Sequence, residues 1–223
     1  MATDAPMATT TDTELLTLAQ WFSPACPIGA FSYSHGLEWA IDAGDVADAA
    51  TLRTWISDIL LHGTGKSDAV FLAAAYRARD TRRLAGIDAA CRAFAPGRER
   101  LLETELQGAA FCRVTEQVWG KRLGNLAYPV AVGHAASLFG LPQIATASMY
   151  LHAFASTLAS VGMRLIPIGQ TEGQRVIRDV APLCRTVAET TAPGDLETLS
   201  GTAFLADIAA LRHETQHSRI FRT

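Results

Sequence analysis

Between Arg122 and Arg164 the chain carries no Asp, Glu, Lys or Arg. A run of that length without a formal charge belongs in a protein core or in a bilayer, and the rest of the fold must accommodate it. Pro129 and Pro142 bracket only a short first segment. The second, Gln143 to Met163, is built from Ala, Ser and Thr, with His152 inside. Insertion into lipid needs net apolar transfer energy, which Leu, Ile and Phe supply and these residues do not. The composition therefore favours a buried central helix over a membrane hairpin. Small residues at Ala145, Ala147, Ser148, Ala155, Ser156, Ala159 and Ser160 let neighbouring helices come close.

The remaining periodicity is helical. Leu52, Trp55, Ile56, Ile59 and Leu60 recur at i, i+3, i+4, i+7 and i+8, one apolar stripe on a helix. Asp48 is its expected N-cap and Gly63 its stop. Ser67 is expected to cap a second helix through Val70, Phe71, Ala74 and Ala78. A short helix near Ile87 to Phe94 ends at Ala95-Pro96-Gly97. A longer one runs from about Arg98 to Trp119, with Leu102, Leu106, Ala109 and Val114 inward. Helices over Pro129–Phe139 and Pro142–Arg164 follow, each with proline in its first turn. Pro167 opens another, which Pro182 ends or bends, and Thr190 to Asp195 is a polar loop. The last covers roughly Leu199 to Gln216, with Phe204, Leu205, Ile208 and Leu211 apolar. No strand alternation, βαβ rhythm or internal repeat is present. The expectation is a single all-α bundle of about eight to ten helices over residues 13–216, with a disordered tail at 1–12 and a C-terminal tail at 217–223.

Charge and cysteine usage exclude several functions. The 223 residues carry a formal charge of −3, where a nucleic-acid binder would carry a basic excess. Arg77, Arg79, Arg82, Arg83, Arg92, Arg98 and Arg100 gather, but Asp80, Asp88 and Glu99 interrupt them, which reads as a solvated helix face. Cys26, Cys91, Cys112 and Cys184 are scattered, and the start has no apolar signal segment. Free thiols in a reducing cytoplasm are expected.

Two motifs imitate enzymes. Gly63-Thr64-Gly65-Lys66-Ser67 resembles the end of a phosphate-binding loop, but the leading glycine of GxxxxGK[ST] falls on Leu60 and an amphipathic helix replaces the strand. A helix–helix turn fits better. His213-Glu214-Thr215-Gln216-His217 matches HExxH. On a helix both imidazoles would share a face and could hold a zinc, with Glu214 as base, so a zinc-dependent hydrolase is the alternative function. No His, Asp or Glu follows as a third ligand. His134 and His152 sit in the uncharged region and are expected as neutral core groups. Cys26, in a proline-flanked turn with no base beside it, is expected to be structural.

Three blocks carry a family resemblance. Leu15 to Trp39 contains Ser23, Pro24, Pro27, Gly29, Phe31, Ser34, Gly36, Leu37 and Glu38 in the pattern SPxxPxGxFxYSxGLE. Tyr128 to Gln174 joins YPVAVGHAASLFGLP to MRLIPIGQTEGQ. The tail RHETQHSRIFRT follows the pattern HExxxSRLFRS. In order and at compatible spacing, they resemble the urease accessory protein UreF family. The departures are Cys26, where an apolar residue is usual, and His217, where an aromatic is usual.

The resemblance implies an all-helical homodimer without catalytic activity. It would bind a UreD/UreH-type accessory protein and, with it, recruit a UreG-type GTPase for nickel insertion into apo-urease in the cytoplasm. Nickel is then cargo of the complex and no cofactor resides here; His213 and His217 are the chain's own candidate ligands. Nucleic acid and membrane are not expected partners. The implied partner-binding residues are Phe31, Arg164, Gln170, Gln174, His213, Glu214, Arg219, Phe221 and Arg222. Arg164 closes the uncharged helix, where a cation complements the dipole, and is the implied GTPase contact. Gln170 and Gln174 share one face. The tail, with Phe221 and Arg222, is expected to order on partner binding.

Overall fold

A computed structural model of the chain describes residues 11–223. The expected disordered tail therefore lies outside the described residues up to residue 10, whereas Thr11 and Asp12 are ordered. Thr11 and Glu14 form a reciprocal capping box at the start of α1 (Asp12–Trp21). Then come α2 (Leu37–Asp42), α3 (Ala49–His62), α4 (Thr64–Tyr76), α5 (Thr81–Ala93) and α6 (Arg98–Trp119). The chain continues through α7 (Tyr128–Leu138), α8 (Gln143–Leu165), α9 (Gln170–Thr190) and α10 (Phe204–His213). No strand occurs among the described residues.

The uncharged stretch forms the centre. α8 packs along α9 and also touches α1, α2, α3, α4 and α7. By length and composition it could cross a membrane, but Leu151, Ala155, Leu158 and Ala159 are fully buried against neighbouring helices. α4 is sealed over Ala69–Ala75 and crosses α7 so closely that a β-carbon on Gly133 would sit 2.1 Å from the Leu72 carbonyl oxygen. Only glycine permits that approach. At the bundle's end, Trp21 meets Phe111 and Phe139 edge-on, with centroids 5.1 and 5.6 Å apart.

Several boundaries differ from the sequence reading. α3 has its Asp48 cap, reinforced by Thr51, and Gly63 follows its last residue. α4 starts at Thr64, so Ser67 is not its cap; its hydroxyl turns back to the Thr64 carbonyl. α5 begins earlier, at an Asp80 cap. Pro182 neither ends α9 nor starts a new helix; it removes one N–H, opposite the exposed residue Arg178, whose carbonyl water can satisfy. α10 is shorter than expected at both ends.

The largest correction concerns α6. Leu102 and Leu106 point outward, 52 % and 43 % exposed, while Arg100, Glu103 and Gln107 are buried. The polar residues turn inward because they find partners there. Arg100 pairs with Glu103, Gln107 donates to Glu103 Oε1 at 2.9 Å, and His35 Nε2 lies 2.8 Å from the same oxygen. Such a connected group can enter a core where an isolated charge could not.

Candidate functional site

Two features stand out on this body, a cavity and a C-terminal strap. The cavity holds about 650 Å³ between the end of α1, the loop after it, α6 and α8. Phe31, Arg164 and Phe221 meet at its lining, although they are far apart in sequence. Gly29, in the left-handed region at φ 77°, turns the loop so that Phe31 stands out, 68 % exposed. Arg164 occupies the last turn of α8, its guanidinium 5.8 Å from the centroid of the Phe221 ring. Both the helix dipole and the aromatic face favour a cation there.

The deeper wall is polar. Burial would raise the Glu103 carboxyl, but Arg100 and His35 beside it bring it down to about 2. His35 is lowered by burial and by Arg100, against the pull of Glu103. Asp68 is pushed up to about 6 by loss of hydration, opposed by Arg100 and by the Tyr150 hydroxyl, which donates at 2.7 Å. Burial also raises the Cys26 thiol, which suits an inert thiol and not a nucleophile.

The strap is residues 217–223, and the expected free tail is corrected here: it is folded back on its own chain. Arg222 N–H donates to the Ser32 carbonyl and Ser34 N–H to the Thr223 carbonyl, each at 2.8 Å. Ser34 Oγ donates to the same Thr223 carbonyl. Thr223 Oγ1 donates to Glu103 at 3.1 Å. Exposure alternates, with Phe221 and Thr223 inside and Ile220 and Arg222 outside, as in a paired extended segment. Directional bonds to the residues around Ser34 anchor the strap without a partner.

The HExxH reading is overturned. α10 ends at His213, so His217 does not share a helical face with it and is exposed beyond the helix. His213 is fully buried, and each ring nitrogen faces a carboxylate, Nδ1 at 2.8 Å from Glu99 and Nε2 at 3.2 Å from Glu38. No group of three or more His, Cys, Asp or Glu suited to a metal ion occurs among the described residues. Glu214 is not placed as a base either. Its Oε1 accepts from Arg98 N–H at 2.8 Å and Glu99 N–H at 3.2 Å. It thus caps α6, whose own N-cap, Gly97, has no side chain.

Of the other expected residues, Arg219 pairs with Glu99 at 2.6 Å, and Arg222 is exposed. Gln170 and Gln174 are exposed on the first turns of α9, outside the cavity lining. His152 is exposed at the cavity rim, not a core group, and His134 is half-buried, its imidazole lowered by burial. Glu38 and Glu99 entered the sequence reading only as a family-pattern residue and as a surface acid, and Glu103 did not enter it at all. The one signal for Glu103 was polar residues at helix-inward spacing: Arg100, Glu103 and Gln107 follow i, i+3 and i+7.

Among the described residues, nothing covers the outer face of α10. Phe204, Leu205, Ile208 and Leu211 are 66, 71, 48 and 51 % exposed, and Ile220 on the strap is 73 % exposed. Single exposed apolar groups are ordinary, but four on one ten-residue helix form an exposed apolar patch. The molecule so defined is an all-helical body with an exposed apolar face on α10 and a strap folded back on its own chain. The UreF family model matches residues 46–181. The chain is 54 % identical to the urease accessory protein UreF of Ruegeria pomeroyi over 97 % of this chain and 100 % of that one. It is 51 % identical to that of Roseobacter denitrificans over 93 % of each, and 45 % identical to that of Rhodopseudomonas palustris over 100 % and 99 %. The chain belongs to the UreF family, non-catalytic accessory proteins of urease maturation.

Proposed function

We propose that this chain is a cytoplasmic scaffold in nickel delivery to apo-urease. In this reading it is a homodimer that binds a UreD/UreH-type accessory protein through the outer face of α10 and the adjoining strap. The pair then recruits a UreG-type GTPase, with Phe31, Arg164 and the exposed amides of Gln170 and Gln174 as contacts of this chain. GTP hydrolysis is coupled to nickel transfer, and nickel is cargo. Arg219 and Arg222 frame the strap, while His213 and Glu214 contribute from inside by holding α10 against α6.

The observation that carries this reading is the bare apolar face of α10. Burying a large apolar side chain contributes about 1.5–3 kcal/mol, so four together supply a substantial driving force for association, minus the cost of immobilising the partners. The test is co-expression with the UreD-, UreG- and urease-type proteins, comparing the intact chain with one lacking residues 219–223. The shortened chain should keep its helical content, lose the UreD-type protein in pull-down and leave urease inactive. Unchanged capture would remove the strap from the interface.

A further inference from the structure

The tail and the segment around Ser34–Glu38 lie 182 residues apart at one of their contacts, yet they form one unit. Glu38 is its hub. The residue is only 6 % exposed and does not line the cavity. Its Oε1 accepts from Ile220 N–H at 2.7 Å, and its Oε2 accepts from Phe221 N–H at 2.9 Å. His213 Nε2 lies 3.2 Å from Oε2, and the other ring nitrogen reaches Glu99, whose second oxygen takes Arg219. A connected set of polar contacts thus runs from α2 through α10 and α6 to the strap.

Two consecutive N–H groups in irregular backbone have no ladder of their own, and left unpaired under cover they would be costly. A carboxylate has two acceptor oxygens and satisfies both. A glutamine amide of the same size has one acceptor, and its NH₂ would oppose the second N–H. The strap is not held here to bury Ile220, which remains 73 % exposed. What the carboxylate fixes is which residue faces in and which faces out.

We infer that Glu38 is the positioning residue of the strap: it sets the backbone at Ile220 and Phe221, so that Ile220 and the apolar face of α10 meet a partner as one preformed surface. The inference rests on the docking reading above for its functional half. Its structural half stands alone. Pre-setting an extended segment removes the ordering entropy that a free tail would lose on binding.

The full-length chain provides its own reporter, because trypsin cleavage after Arg219 releases residues 220–223 and intact-mass measurement follows their loss. Glu38→Gln should accelerate that cleavage about tenfold or more, as expected when charge-assisted bonds that close a local segment are lost. Its thermal midpoint should stay within a few degrees of the parent, and capture of the UreD-type protein should fall about tenfold. Glu38→Asp, which keeps both acceptors on a shorter stem, should lie between Gln and the parent in cleavage and capture. Parental cleavage in Glu38→Gln overturns the assignment. So does a freed strap with full capture, provided that the chain lacking residues 219–223 fails to capture. Full capture by that shortened chain would instead refute the docking reading, and cleavage alone then decides the role of Glu38. Should Glu38→Gln not fold, Glu38→Asp alone decides, and parental cleavage there overturns the inference.

Discussion

Gly36→Ala tests the seating of α10 directly. Gly36 has φ 75°, in the left-handed region, and a β-carbon there would lie 2.4 Å from Ala210 N, 2.7 Å from Ala209 C and 2.8 Å from Ala210 Cα. The contacted atoms are helix backbone, so no rotamer change relieves the clash and α10 must retreat by about 1 Å to reach ordinary contact distance. The left-handed conformation costs a non-glycine residue about 1–2 kcal/mol, and overpacking adds about 1–3 kcal/mol. If the molecule unfolds as one unit, the total lowers its thermal midpoint by roughly 5–15 °C at this chain length. If α10 lifts off locally instead, the midpoint moves less and amide exchange over residues 204–213 rises steeply. Both outcomes weaken capture of the UreD-type protein. Thermal melting, amide exchange by mass spectrometry and pull-down of the same preparation are the assays. A midpoint within about 1 °C of the parent together with parental exchange in α10 would refute the close approach and the argument built on it.

Asp68→Asn should stabilise the protein by about 2–3 kcal/mol at pH 8 and do nothing near pH 4, measured by urea unfolding. The sign follows from a carboxyl raised to about 6 in the folded state: its contribution is intact below the unfolded value and is lost as pH rises through 6, a loss the amide cannot suffer. Leu205→Ser, on the bare face of α10, should leave the melting midpoint within about 1 °C because surface changes are near neutral, yet weaken partner capture about tenfold. Arg164→Ala should cost about 0.5–1.5 kcal/mol by removing a cation from a helix end and from the Phe221 ring, and should impair GTPase recruitment. Normal urease activation with that variant would count against the contact.

The helical class and the buried centre were legible because a long uncharged run with two prolines admits few solutions. The Asp48 cap was legible because capping is local chemistry. What misled was one-dimensional pattern. Leu102 and Leu106 looked like core because they are apolar, but α6 turns Arg100, Glu103 and Gln107 inward, where they pair with one another, with His35 from the loop before α2 and with Thr223 from the tail. His35 and Thr223 are far away in sequence, and periodicity carries no information about them. HExxH matched for the same reason in reverse. The letters fit a helix face, but the helix stops at His213 and the ring is consumed by Glu38 and Glu99. The tail was legible as a family block and not as a structure, since its alternation of Ile220 out and Phe221 in spans too few residues to separate from chance.

The inward-facing charges of α6 bear on why the strap sits where it does. A buried ion pair contributes little net stability, because desolvation offsets most of its attraction, and apolar residues of the same volume could serve the core as well. Apolar contact is tolerant of sliding, however, and the strap has one buried apolar anchor, Phe221. Register must come from directional groups. Glu103 supplies one end by holding Thr223 Oγ1 while it is itself fixed by Arg100 and His35. Glu38 supplies the other at Ile220 and Phe221. Two carboxylates on different helices thus bracket the last four residues, and a slip of one residue would exchange the inner and outer faces and break both sets at once. The polar interior is explained by the placement of the surface above it, which apolar packing alone would leave free to shift.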